Sequence, residues 1–356
     1  MNNSTLIIAE AGVNHNGERD LAFQLVEAAA ESGADAVKFQ TFNAERLAAV
    51  TAPKAQYQKK NTSEAESQLA MLKKLELPES WHQELQDHAQ QKGIAFISTA
   101  FDRLSLSFLQ TLNLPFYKIP SGEVTNAPLL WAFAATRKPC ILSTGMASLS
   151  EVEQALAILA HGYSHDQEPK TLSETWEFWG QPQAFEAIKD QVTLLHCTSS
   201  YPTPLDQVNL KAMDTLAAAF QLPVGYSDHT QGLLVPVAAV ARGARVIEKH
   251  FTLDRELPGP DHKASLEPEE LKDLVQQIRC IEQLLGTGRK APQPCEWDTR
   301  QVARQSLLVS QDVQQGDEFS ETTLTTSRTG QGVSAAHYWD YLGKPASKDY
   351  RCGEAL

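Results

Sequence analysis

The chain is short of positive charge: 31 Lys and Arg stand against 44 Asp and Glu, a formal net charge of −13 over 356 residues. Binding along a phosphate backbone needs a basic patch or stripe, so a nucleic-acid partner is excluded, and any small anion must be held by a local cluster of Lys and Arg. Cysteine is scarce and unpatterned. Cys140, Cys197, Cys280, Cys295 and Cys352 are odd in number, scattered and free of CxxC spacing, which argues against a disulfide frame or a zinc site and predicts reduced thiols in a cytoplasmic protein. No segment approaches 18 uninterrupted apolar residues, and MNNSTLIIAE enters an apolar strand with no basic region before it. The expectation is therefore neither a membrane span nor a signal peptide. A GxGxxG turn after the first strand is also missing, the glycines of AEAGVNHNG having the wrong spacing for a dinucleotide fingerprint.

What is present is a rhythm. Eight short β-type runs occur at 6–12, 36–41, 94–99, 116–121, 140–145, 192–199, 223–229 and 245–251. Helical patterns separate them, and another, Pro268–Leu285, follows the eighth. Runs rich in Ile, Val and Leu that alternate with helices read as parallel strands buried on both faces. Eight such units in about 285 residues match a (β/α)8 TIM barrel better than an open doubly wound sheet. The domain reading is 1–285 for the barrel, 286–300 for a Gly- and Pro-rich linker, and 301–356 for a small β-rich domain, marginal in size on its own.

Barrel enzymes build their sites at the C-terminal ends of strands. Here those ends read Glu10 to Asn14, Lys38 and Gln40, Ser98 and Thr99, Lys118 to Glu123, Ser143 and Thr144, His196 to Tyr201, Ser227 to His229, and Glu248 to His250. Any one could be a solvated strand end, but a structural barrel has no reason to gather this many ionisable groups on a single rim. His229 and His250 close consecutive strands, which would set their imidazoles facing one another as a pair of nitrogen ligands for a divalent metal. Asp228, Glu248, Lys249 and Asp261 stand beside them in sequence.

Two segments interrupt the rhythm. Residues 43–77, polar and then helical in pattern, predict an excursion over the barrel mouth that can serve as a lid; residues 162–191, with the run WEFWG, predict an enlarged connection whose aromatics seat it on the barrel wall. In the small domain Arg328 lies within SRTGQG, either an anion-holding guanidinium or an exposed surface arginine.

The motifs AEAGVNHNG, VKFQT, FISTAFD, YKIPSGE, ILSTGM, LLHCTSSYPTP, GYSDHT, EKHFTLD and GPDHKASL, in that order, resemble those of the sialic acid synthase family, including its legionaminic acid branch. The C-terminal region is similar to that family's antifreeze-like (SAF) domain. The resemblance implies condensation of phosphoenolpyruvate with an N-acetylated aldose. It makes His229 and His250 the ligands of a divalent metal, Mn2+ first and Mg2+ or Co2+ as alternatives. It places Lys38, Thr99, Lys118, Ser121, Ser143, Ser199 and Ser227 on phosphoenolpyruvate, Ser199 standing where the sialic acid branch carries Asn. Gln40, Tyr201 and Asp261 fall at sugar-contacting positions. Glu10 and Glu123 become the carboxylates for acid–base work, Glu123 being chosen to activate water, and Arg328 reaches the neighbouring subunit of a domain-swapped homodimer. The leading acceptor is N-acetylmannosamine, giving N-acetylneuraminate; the alternative is 2,4-diacetamido-2,4,6-trideoxymannose, giving legionaminate. A Schiff-base aldolase using Lys118 and a non-enzymatic sugar-binding scaffold are the readings from other classes.

Overall fold

A computed structural model describes residues 4–49, 51–54, 58, 59, 62 and 67–356. The chain divides into two compact units, Met1–Gly286 and Thr287–Leu356. The first holds eight parallel strands: β1 (Leu6–Gly12), β2 (Ala36–Thr41), β3 (Ala95–Ala100), β4 (Tyr117–Ile119), β5 (Cys140–Ser143), β6 (Val192–His196), β7 (Val224–Asp228) and β8 (Val246–His250). They are hydrogen-bonded in the order β3-β2-β1-β8-β7-β6-β5-β4, and β3 and β4 at the ends of that order pack side by side, so the sheet is a nearly closed TIM-type barrel.

Strand periodicity explains where the polar groups go. Residues two apart point to the same face. The outward residues, Ile7 and Ala9 on β1 or Leu142 on β5, pack with the surrounding helices in one large core. The inward residues Ile8, Ala36, Ile97, Ile141, Leu195 and Val246, with Phe116 beside them, form a separate apolar plug inside the barrel. Two positions further along each strand the same inward face presents Glu10, Lys38, Thr99, Ser143, Cys197, Glu248 and Lys118. On β7 the plug position is Gly225, where a Cβ would lie 2.4 Å from the Val246 carbonyl oxygen and 2.6 Å from Leu195 Cδ2. Only glycine leaves room there for the β8 backbone and the Leu195 side chain, and Ser227 lies two residues further on.

Register then brings the polar layer together. Glu10 lies opposite Lys38 on β2 and opposite His250 on β8, and Ser227 lies opposite Glu248. β4 is shorter than the predicted run 116–121: Pro120 cannot donate to the ladder, and the chain turns into a 3-10 segment at Ser121–Glu123.

Within 43–77, the helix Gln68–Lys74 is present, capped by Ser67, whose hydroxyl accepts from the Ala70 N–H. Residues 50, 55–57, 60, 61 and 63–66 of the predicted lid lie outside the described residues. The 162–191 connection forms the helices Leu172–Trp179 and Pro182–Ile188. Its aromatics face the helix Leu149–Ser164: Trp179 Nε1 donates to Glu153 at 3.1 Å, and the Phe178 ring meets His161 and His165 edge-on.

The second unit carries β9 (Gln305–Val309) and β10 (Leu324–Arg328), antiparallel, around a small core of Leu307, Val309, Val313, Phe319, Leu324, Ala346 and Tyr350. The stretch 286–300, expected as a linker, is not featureless. Gln293 and Glu296 cap one another, Pro294 takes a first-turn position where its missing N–H costs nothing, and a 3-10 turn at Pro294–Glu296 runs into the helix Trp297–Ala303. Among the described residues no helix is long and apolar enough to cross a membrane.

Candidate active site

The strand ends of the barrel open into a cavity of about 370 Å³, within the usual range for a small-molecule site. Of the residues read from the sequence, Glu10, Lys38, Gln40, Thr99, Lys118, Ser121, Ser143, Ser199, Tyr201, Ser227, His229, His250 and Asp261 all line it. Thirteen side chains from all eight strand ends and the loop after β8 therefore converge, as alternation along the strands requires.

Four buried charges form its floor. Lys38 Nζ lies 2.6 Å from Glu10 Oε2 and 3.7 Å from Glu248 Oε2, and donates to Thr99 Oγ1 at 3.2 Å. Lys118 Nζ lies 3.5 Å from Glu248 Oε1, which also accepts from Ser227 Oγ at 2.8 Å. Gln40 Nε2 donates to Glu10 Oε1 at 3.1 Å. The environments split the two carboxyls. Burial pushes Glu10 up to about 7, the Lys38 ammonium opposing and the Glu248 carboxylate adding to the rise. Burial works on Glu248 in the same direction, but Lys118 and Lys38 outweigh it and hold this carboxylate at about 2. Lys38 is raised because its two carboxylates overcome its burial, whereas burial leaves Lys118 below the usual lysine range despite Glu248. Near neutral pH the floor thus holds two ammonium groups, one firm carboxylate and one carboxyl poised between states. That is an anion site with a proton to exchange.

The hydroxyls complete it. Ser143 Oγ is buried without a hydrogen-bond partner, a donor that a bound oxygen would satisfy. At Gly145 a Cβ would lie 2.4 Å from Ser199 Oγ, 2.8 Å from Ser121 Oγ and 2.9 Å from Cys197 Sγ, while the Gly145 N–H donates to Ser121 Oγ at 2.9 Å. The ends of β4, β5 and β6 close around this glycine, and a side chain there would push the serines apart.

His229 and His250 face each other with ring centroids 5.6 Å apart, and Tyr201 lies against both, at 4.2 Å and 5.6 Å. Burial lowers the pKa of each, His250 well below the ordinary value with His229 and Lys38 adding to the effect, so both imidazoles are neutral. The His229 Nδ1–H donates to the Thr198 carbonyl at 2.7 Å, leaving the Nε2 lone pair for a ligand. His250 Nδ1 is buried without a hydrogen-bond partner, 4.0 Å from Asp261 Oδ2. Burial pushes Asp261 up to about 6, Lys38 opposing. The two imidazoles fit a divalent metal as nitrogen donors. Among the described residues no group of three or more His, Cys, Asp or Glu is arranged as a complete ligand set.

Two predicted residues stand apart. Glu123 does not line the cavity. Because β4 stops at Ile119, the turn that follows aims Ser121 and Gly122 inward, while Glu123 accepts from Asn126 Nδ2 at 2.6 Å, its carboxyl raised by partial burial. Arg328 ends β10 in the second unit and is exposed. Asp228 and Lys249, counted beside the histidines, face the other side of their strands and bond each other at 2.6 Å, away from the cavity.

Sequence reading gave Glu248 no role, although it lies two residues beyond the plug residue Val246 and one place from Lys249. It also missed an apolar wall of the cavity, Val13, Met71, Leu72, Leu75 and Phe101. Helical spacing marks 71, 72 and 75 as one face, but nothing in the sequence says what that face covers.

Residues 25–290 match the family described as the NeuB family. The chain is 49% identical over 352 residues to N,N'-diacetyllegionaminic acid synthase of Campylobacter jejuni, covering 99% of this chain and 98% of the relative. It is 47% identical over 350 residues to the protein of the same name from Legionella pneumophila, covering 98% and 92%. The structure of N-acetylneuraminic acid synthetase from Leptospira borgpetersenii, in complex with citrate, is similar with a TM-score of 0.69 at 35% identity, over 83% of this chain and 90% of that one. A family match over most of the barrel, with relatives close to half identical from end to end, identifies the chain: it belongs to the NeuB family, and is homologous to the sialic acid synthases.

Proposed function

We propose that this enzyme, a phosphoenolpyruvate-dependent nonulosonic acid synthase, takes 2,4-diacetamido-2,4,6-trideoxymannose as acceptor and forms N,N'-diacetyllegionaminic acid. C3 of phosphoenolpyruvate attacks the open-chain aldehyde, water adds at C2, and phosphate leaves with cleavage of the C–O bond. The observation that carries the reaction class is the cavity itself: two buried lysines beside two buried neutral imidazoles at the end of one barrel. The acceptor is where this departs from the sequence reading, which put N-acetylmannosamine first; the two legionaminic acid synthases, at 49% and 47% identity, support the alternative.

Lys38, Lys118, Thr99, Ser143 and Ser227 hold the anion, the lysines as point charges and the hydroxyls as directional donors. Gln40, Tyr201 and Asp261 meet the sugar hydroxyls. Glu10, near 7, is the carboxyl suited to taking a proton from the attacking water at neutral pH, a task for which Glu248, near 2, is too weak a base. His229 and His250 would hold the divalent metal, Mn2+ by preference, which when bound polarises the aldehyde oxygen as a Lewis acid. The homodimer, with Arg328 serving the other copy, belongs to the same proposal, and the mass in solution tests it.

The test is phosphate release from phosphoenolpyruvate with each purified acceptor, with product mass as the second readout. The diacetamido sugar is expected to have the higher kcat/KM; a higher value for N-acetylmannosamine would overturn the assignment.

A pH prediction follows from Glu10. Below about 7 its carboxyl is neutral and the floor is more positive; above that pH the ionised group competes with phosphoenolpyruvate for Lys38. Wild-type affinity should fall as pH rises through about 7, by roughly tenfold. In Glu10→Gln, calorimetric titration should follow only the ligand's own phosphate ionisation near ~6. Parallel curves for the two proteins would assign the titration elsewhere.

A further inference from the structure

The cavity lining is of two chemical kinds. Besides the strand-end charges it includes a contiguous apolar wall of Val13, Met71, Leu72, Leu75 and Phe101. These residues do not belong to the barrel core. They form a small cluster of their own, in which Val13, Met71 and Leu75 are buried with Phe42, and Leu72 and Phe101 are partly buried against them. The cluster is held firmly. Phe42 and Phe101 meet edge to face at 5.9 Å, fixing the loops after β2 and β3 to one another. The end of the helix Gln68–Lys74 rests on the loop after β1 at Gly17, which has φ +75° and where a Cβ would lie 2.5 Å from the Lys74 carbonyl oxygen. A residue with a side chain is strained there twice over, by its backbone and by that contact, so the glycine is what seats the helix.

We propose that this wall is a subsite for the methyl groups of the acceptor sugar, its C6 methyl and an acetamido methyl, and that it selects the deoxygenated acceptor over a hydroxylated one. The inference rests on the acceptor class given above and names the residues that choose within it. Phosphoenolpyruvate offers the wall nothing: it is a small trianion, matched by Lys38, Lys118 and the hydroxyls. N-acetylmannosamine would bring a 6-hydroxyl and a 4-hydroxyl toward aliphatic and aromatic carbon that cannot hydrogen-bond them. The 2,4-diacetamido-2,4,6-trideoxy sugar replaces the first with hydrogen, leaving a methyl, and the second with a group that ends in a methyl. A methyl-sized difference in an apolar pocket is worth roughly 10- to 200-fold in kcat/KM.

The experiment is Leu72→Gln, which keeps side-chain length and helix propensity and places an amide on the wall. kcat/KM is measured for both acceptors at saturating phosphoenolpyruvate, with KM for phosphoenolpyruvate and the thermal midpoint alongside. The ratio of the two acceptors is expected to move toward N-acetylmannosamine by about tenfold or more, mainly through KM of the diacetamido sugar. Leu72→Met is expected to restore the ratio, and Val13→Thr, which adds a hydroxyl from a different loop at constant shape, should shift it in the same direction as Leu72→Gln. An unchanged ratio in Leu72→Gln and Val13→Thr, or a loss shared equally by both acceptors, would overturn the subsite. The wild-type arm separates this from the acceptor assignment: wild-type preference for N-acetylmannosamine overturns that assignment, while the shift in ratio on substitution still decides whether the wall contacts the sugar.

Discussion

Replacing Lys38 with methionine is expected to lower kcat/KM for phosphoenolpyruvate by roughly a hundredfold to a thousandfold, mainly by raising KM. Lys38 is almost fully buried, within 2.6 Å of Glu10 and 3.7 Å of Glu248. Removing it takes away a charge that would meet the ligand and leaves two carboxyls sharing the floor with Lys118 alone. Truncating one partner of a buried charge pair typically costs about 2–5 kcal/mol in binding, a span whose middle corresponds to the hundredfold to thousandfold loss expected here. The accompanying loss of stability should be small in acid and larger in alkali. Burial and the Glu248 charge already raise Glu10 to about 7; without Lys38, the cause that opposes them, its folded pKa rises further. An acid with a raised folded pKa contributes full stability below its unfolded value and loses it as pH climbs through the folded one. Lys38→Met should therefore lose more stability relative to wild type at pH 8 than at pH 5, where the lost attraction to the Glu248 carboxylate is the main deficit, by denaturant melts. A variant whose KM for phosphoenolpyruvate is unchanged would remove Lys38 from the anion site.

The barrel was legible because its strands are buried on both faces, which forces runs of Ile, Val and Leu that helices interrupt. The predicted runs 6–12 and 36–41 coincide with β1 and β2. The rim was legible for a related reason: an apolar plug requires the inward face to change character two residues later, so Glu10, Lys38, Ser143, His229 and His250 announce themselves at strand ends. What the sequence does not show is direction within a turn. Glu123 follows a strand cut short by Pro120, and sequence proximity to Lys118 and Ser121 could not say that Ser121 lines the cavity while Glu123 turns to Asn126. The same limit applies to Asp228 and Lys249. Adjacent to His229 and His250, they look like members of the site, yet alternation along β7 and β8 turns them to the opposite face. The wall of Met71, Leu72 and Leu75 was hidden because its partners Val13 and Phe101 are remote in sequence.

That outward pair carries the other large prediction. Asp228 and Lys249 face each other across β7 and β8, with no exposed side-chain surface and Nζ 2.6 Å from Oδ2. The ammonium also donates to the Thr230 carbonyl at 2.5 Å, and Asp228 Oδ1 accepts from the Thr230 N–H at 3.0 Å and its hydroxyl at 2.9 Å. The network therefore ties the two strand ends and the turn that holds His229 into one unit. Lys249→Met should destabilise the protein by about 3–5 kcal/mol, because Asp228 is left buried without its counter-charge. Replacing both residues, Asp228→Leu with Lys249→Met, should recover most of that loss, since an apolar pair of similar volume needs no charge compensation. Stability and function are then expected to separate. The double variant keeps its fold, but the bonds that tie Thr230 to Asp228 and Lys249 are gone and the turn after β7 is held by fewer contacts, so its affinity for the metal proposed above should fall by roughly tenfold, as for loss of a group that orients a ligand. Denaturant melts of the three variants, with metal binding by calorimetry on the double, distinguish the outcomes. If the double variant holds metal as tightly as wild type, the pair serves packing alone, and register on β7 and β8 is set by the Ser227–Glu248 bond on the inner face instead.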